Sequence, residues 1–169
     1  VSKISLEDNS EIDGPLLTSS SNHIQIGDNY YASFEEAVEA IRGMSGDVTV
    51  IINGNLDLTK VFAESANNNK KYDLSTSRIN SLTIQGSNDA SILSGVDGHY
   101  IDGENGNPRC PVLNFSLPND AALNIEDITF EDDLWIDNDS GSVTFTECTF
   151  HGAISVYPQS VEVTFYKNT

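Results

Sequence analysis

Apolar residues recur in short alternating pairs about every 20 residues from Leu82 to the end of the chain. Leu82-Thr83-Ile84, Leu123-Asn124-Ile125, Val143-Thr144-Phe145 and Val163-Thr164-Phe165 make one column, and Leu93, Leu113, Leu134 and Ile154 make a second one half a period away. Steps in the second column are 20, 21 and 20 residues. The 41 residues from Leu82 to Leu123 equal two periods, with Tyr100-Ile101 at the intermediate position. Two-residue spacing within each pair is strand periodicity and excludes a helical repeat. A period this short, with two strands in each turn, predicts a solenoid of stacked coils.

The copies align in detail. At an offset of 20, residues 122–136 fall on 142–156, matching Leu123 with Val143, Ile125 with Phe145, Ile128 with Cys148, Phe130 with Phe150 and Leu134 with Ile154. A third copy starts at Glu162 and puts Val163 and Phe165 in the same columns. It stops in mid-coil, which predicts either a chain truncated at its carboxyl end or a disordered remainder, because an open final coil leaves a strand edge exposed. The L-x-x-L-x-L pattern of leucine-rich repeats is missing, as are the Gly-His and Trp-Asp signatures of a propeller. The best fit is an all-β, right-handed parallel β-helix.

Upstream the pattern changes. Residues 1–22 end in a Ser/Thr run and read as a leader or linker. Residues 23–58 read as an amino-terminal cap and first coil. Ile24-Gln25-Ile26 forms a strand that turns at Gly27-Asp28-Asn29, and Tyr30-Tyr31 lead into a helix predicted over 33–42. Ser33 and Glu36 make a capping box in which the Glu side chain returns to the Ser33 N–H. Phe34, Ala37, Val38 and Ile41 form one apolar stripe, Glu35, Glu36 and Glu39 face water, and Gly43 ends the helix. Val48-Thr49-Val50-Ile51-Ile52 is β-branched throughout and predicts a strand covered on both faces. Asn53-Gly54-Asn55 predicts a turn before Leu56 and Leu58. Residues 59–169 supply the remaining coils, with insertions near 59–78, anchored by Val61, Phe62 and Tyr72, and near 97–111.

The segment IQIGDNYYASFEEAVEAIRGMSGDVTVIINGNLDL resembles the opening of bacterial pectate-lyase-like β-helix domains, where a strand, a Tyr, a capped helix and a further strand close the amino end. It is also similar to short repeats in surface proteins of anaerobic and gut bacteria. His151-Gly152-Ala153-Ile154 and Phe165-Tyr166-Lys167-Asn168 are similar to the Gly-Gly-Ala-Ile and Phe-x-x-Asn repeats of polymorphic outer-membrane adhesins, with His151 in place of the first Gly. The resemblance implies a secreted or cell-surface protein. It also implies two chemistries: lyases of this fold use Ca²⁺-binding Asp residues with an Arg or Lys base, and its hydrolases use paired Asp residues.

Composition limits the partners. The chain of 169 residues carries a formal charge of −18, which repels phosphate backbones and anionic membrane surfaces, so neither nucleic acid nor membrane insertion is expected. Two cysteines, Cys110 and Cys148, lie two coils apart in different columns and are read as unpaired, inward-facing thiols, with a bridge permitted by the insertion as the alternative. Asp132-Asp133 and Asp137/Asp139 are the candidate acid pairs. Neighbouring carboxylates on a strand point to opposite faces, so Asp132 and Asp133 read as turn residues. After Arg109 the repeat region offers only Lys167 as a base. Asp137, Asp139, Asp102 and Glu104 sit in oxygen-rich loops and are candidate Ca²⁺ ligands, although neither loop has the EF-hand spacing. No other cofactor is expected. His23, His99 and His151 are scattered. Trp135 and Tyr157 are candidate ligand contacts, because an outward aromatic beside an inward Leu134 can stack on a sugar. The sequence therefore points to a non-catalytic cell-surface or secreted β-helix module acting as scaffold, adhesin or glycan-contacting surface, with a glycan or a host or cell-surface protein as partner. The alternative is the amino-terminal part of a β-helix polysaccharide lyase or glycoside hydrolase.

Overall fold

The computed structural model describes residues 23–57, 72–93, 113–118, 120–138, 141–158 and 162–169. The first unit is an antiparallel hairpin of β1 (Ile24–Ile26) and β2 (Asn29–Tyr31), turned at Gly27 with φ 58°. Helix α1 (Phe34–Ile41) follows, with Ser33 as its cap; the Ser33 hydroxyl accepts from the Glu36 N–H at 3.2 Å. The predicted stripe of Phe34, Ala37, Val38 and Ile41 is buried. Two details differ from expectation. The Glu36 carboxylate accepts from the Ala32 N–H, one residue beyond the cap, and Glu35 is half-buried against the body instead of facing water.

The remaining described strands run parallel. One sheet contains β3 (Ser45–Asp57), β5 (Arg78–Leu93), β7 (Ala122–Glu126), β10 (Val143–Thr146) and β13 (Val163–Tyr166), in the spatial order β13-β10-β7-β5-β3-β1-β2. The short strands β8 (Thr129–Phe130) and β11 (Thr149–Phe150) extend it beyond a turn. The second sheet has the order β12-β9-β6-β4, from β4 (Tyr72–Asp73), β6 (Leu113–Ser116), β9 (Leu134–Asn138) and β12 (Ile154–Pro158). No described helix is long and apolar enough to cross a membrane.

The first apolar column stands as predicted. Val48, Leu82, Leu123, Val143 and Val163 lie in register on successive strands, and so do Val50, Ile84, Ile125, Phe145 and Phe165. Leu123, Ile125, Val143 and Phe145 are fully buried. Burying each such side chain contributes about 1.5–3 kcal/mol, and stacking like on like keeps every rung in one register. Phe145 and Phe165 stack with centroids 4.9 Å apart, as Phe130 and Phe150 do at 5.5 Å. Cys148 lies inward and buried, unpaired as expected; Cys110 is outside the described residues.

The second column needs correction. Leu134 pairs with Ile154 as expected, but Leu113 pairs with Ile136, two residues along, and Leu93 pairs with Asp57 at the end of the first sheet. A different column, Leu56, Ile92, Phe130 and Phe150, runs unbroken beyond the turn. Leu93 loses phase because residues 86–90 span a turn that Asp127-Ile128 make with two residues. Tyr100-Ile101 is likewise no rung between Leu82 and Leu123, since those two residues pair directly; residues 94–112 lie outside the description. The strand over Val48–Ile52 is covered on one face only. Val48, Val50 and Ile52 are buried while Thr49 is exposed and Ile51 is half-buried, because only one side of the sheet meets the core. Gly54, at φ 67°, bends β3 without ending it. Within the expected insertion at 59–78, Tyr72 does anchor the chain: it is buried between the Phe34 and Phe115 rings.

Candidate functional site

Each tight turn between the long and short strands of the first sheet is made by two residues, the first left-handed and the second inward. Asp127, Glu147 and Lys167 hold φ values of 54°, 54° and 55° at a spacing of 20 residues, and Asp89 in the larger turn has φ 55°. A left-handed conformation costs an L-residue roughly 1–2 kcal/mol, less for Asp. The cost is offset because the next side chain enters the core: Ala90, Ile128 and Cys148 are all buried. The exposed carboxylates of Asp89, Asp127 and Glu147 line a groove of about 270 Å³ together with Ser87, Thr129 and Thr149. Lys167 Nζ meets Glu147 Oε1 at 3.0 Å, and this hydrogen bond raises the Lys167 pKa above its ordinary value.

Beside this edge the outer face of the first sheet presents Thr49, Thr83, Asn124, Thr144 and Thr164 in one register column. Asn124 Nδ2 donates to Thr83 Oγ1 at 3.3 Å. Neither this column nor the left-handed one was singled out in the sequence. Their signals were present: the middle residue of each apolar triplet is polar, and a charged residue follows the last apolar position of the triplet by two at 127, 147 and 167.

The candidate residues divide into two groups. Trp135 pairs in register with Ser155, and Asp137 pairs with both Tyr157 and Asn114. Trp135, Asp137 and Tyr157 thus occupy alternate positions of one parity on adjacent strands β9 and β12. Asp139, Asp102 and Glu104 lie outside the described residues, as do His99 and Arg109. Among the described residues no group of three or more His, Cys, Asp and Glu side chains is arranged to hold a metal ion. Asp133 Oδ1 accepts from the Ala153 N–H at 2.8 Å, a bond to the following rung. His23 Nδ1 lies 2.8 Å from the Asn53 carbonyl oxygen, and His151 Nδ1 lies 2.9 Å from Glu131 Oε2.

Comparison of the chain with family models, with curated proteins and with solved structures finds no match.

Proposed function

We propose that the chain is a right-handed β-helix module of a secreted or cell-surface protein, a non-catalytic scaffold or adhesin whose exposed surface contacts glycan. The observation that carries this reading is the direction of its polar chemistry. Glu131 and His151, Glu147 and Lys167, and Asp133 and the Ala153 N–H are joined at a spacing of 20 residues, from one rung to the next. Side chains engaged along the stack hold coils together instead of converging on a scissile bond. The amino-terminal hairpin, capped helix and first long strand support the likeness to pectate-lyase-like domains. An acidic molecule repels polyuronates and other anionic chains, so a neutral glycan fits the charge better. The contact falls to Trp135 and Tyr157, whose rings supply the stacking area that sugars use.

A glycan array run beside a uronide-cleavage assay tests this. Binding to neutral glycans that drops at least tenfold in Trp135→Ala and Tyr157→Ala, with no cleavage, is the expected result. Unsaturated products from the wild-type chain would replace this reading with a lyase.

A further inference from the structure

The first coil turns at Asn53-Gly54-Asn55, where the two flanking residues are paired and the glycine between them is not. Asn53 is in register with Ser87 and Asn55 with Ser91, so among the described residues Gly54 is left out of the ladder between β3 and β5. Asn53 and Gly54 are both half-buried, within reach of water. The backbone of Asn53 is held from the side of β1: its N–H donates to the His23 carbonyl at 2.8 Å. Its own carbonyl oxygen lies 2.8 Å from His23 Nδ1. A carbonyl only accepts, so Nδ1 carries the proton and donates. The Asn53 side-chain amide donates from Nδ2 to Gln25 Oε1 at 3.3 Å.

An asparagine followed by glycine has a reaction available within its own atoms. The Gly54 nitrogen is one ring closure away from Asn53 Cγ, an intramolecular approach that needs no second reactant to be positioned. Glycine adds no side chain to hinder that closure, and it accepts the φ of 67° that the turn imposes. The nitrogen attacks only after losing its proton, and the resulting charge is shared with the Asn53 carbonyl oxygen through peptide resonance. His23 Nδ1–H is bonded to that oxygen, so a donor already sits where negative charge develops. The bonds that hold Asn53 at its N–H and carbonyl involve neither of the atoms that join, so they need not break for the ring to form.

We propose that Asn53 is a self-modification site of the folded protein, converting through a succinimide to aspartate and isoaspartate with His23 as the assisting donor. The Gly54 N–H gives its proton to hydroxide, the nitrogen bonds to Asn53 Cγ, and Nδ2 takes a proton from water and leaves as ammonia. A further water then opens the ring at either carbonyl, restoring the peptide as aspartate or routing it through the side chain as isoaspartate. No electron is transferred. The isoaspartyl product lengthens the main chain by one carbon between the residues that pair with Ser87 and Ser91, and it adds a carboxylate. Leu56, in register with Ile92, is the first buried residue beyond the lengthened link. Conversion therefore strains the first coil where it enters the column of Leu56, Ile92, Phe130 and Phe150.

The chain carries its own internal standard, because Asn105-Gly106-Asn107 repeats the same tripeptide outside the described residues. Peptide mapping of the full chain, incubated at one neutral pH and digested at intervals, follows isoaspartate at both positions. Asn53 converts faster in the native chain than in the same chain in guanidinium chloride. His23→Ala slows the native rate about tenfold, below the roughly hundredfold that one donor is worth in a dry active site, and leaves Asn105 unchanged. His23→Gln keeps a side-chain donor and falls between. Circular dichroism selects the variants that keep the native spectrum, and in guanidinium wild type and variants convert Asn53 alike. A native wild-type rate below the guanidinium rate would show that the fold protects the site and would overturn the proposal without any variant. So would a native rate that is unchanged in a folded His23 variant lacking the donor.

Discussion

Asn168 Oδ1 accepts a hydrogen bond from the backbone N–H of Cys148 at 2.8 Å, and its Nδ2 donates to the Phe145 carbonyl at 3.1 Å. A side chain from one rung thereby satisfies two backbone groups of the rung before it. It does so in the column where Ala90, Ile128 and Cys148 place apolar or thiol groups.

Removing that amide leaves the Cys148 N–H and the Phe145 carbonyl without this partner. Asn168→Ala is expected to lower the unfolding free energy by about 1–3 kcal/mol, the cost of unsatisfied buried polar groups. Asn168→Asp keeps the acceptor and loses the donor, so it falls between wild type and Ala. Urea denaturation followed by circular dichroism measures both, and an Asn168→Ala midpoint equal to wild type refutes the role.

Gly86 and Gly152 are required by close approach between rungs. A Cβ on Gly86 would collide with the Asp127 carbonyl, and one on Gly152 with the Asp133 carboxylate and the backbone beside it. Overpacking of this kind against backbone costs about 1–3 kcal/mol or more. Gly86→Ala is therefore expected to be clearly less stable than Gly43→Ala, whose Cβ meets only ordinary contact at 3.7 Å. Thermal denaturation of the two variants decides it.

The left-handed turn position separates residues by backbone preference. At φ 54°, Glu147→Gly relieves the conformation, whereas Glu147→Val adds a β-branched clash. The Val variant is expected to be about 1–2 kcal/mol less stable than the Gly variant, and both lose the bond to Lys167 equally. Equal midpoints would show that the turn tolerates any residue.

Tyr72 carries a cost that substitution can remove. Its hydroxyl is buried without a hydrogen-bond partner among the described residues, and burial pushes its pKa from 10.0 up to about 12. The neutral form is favoured in the folded state, so this contribution is fully present below about pH 10 and is lost as pH rises toward 12. Stability of the wild-type protein is expected to fall by an additional 2–3 kcal/mol, as an order of magnitude, across that window. Tyr72→Phe should flatten this part of the profile and be neutral or stabilising at pH 7, where denaturation at several pH values reads both effects.

How much of this could be read from the chain depended on which residues carried the signal. The first column was legible because Leu123, Val143 and Val163 recur at a constant 20 residues with a polar residue after each. The helix was legible because Ser33 and the stripe from Phe34 to Ile41 are local patterns. Leu93 misled, since counting residues assumes equal turns, and the turn at 86–90 is longer than the one at Asp127-Ile128. For the candidate site, alternation alone placed Trp135 on an outward parity, but only the strand register brought Asp137 level with Tyr157. The left-handed column escaped notice because Asp127, Glu147 and Lys167 share a backbone conformation and no side-chain type.

The slip that moves Leu113 from Leu134 to Ile136 has an even length. Because faces alternate with a period of two, Phe115 stays buried in register with Asn138, a position of the same parity as buried Leu134. The stack therefore tolerates slips of register in steps of two: such a slip leaves interior side chains interior, while a slip of one residue would exchange interior for exterior along the whole strand.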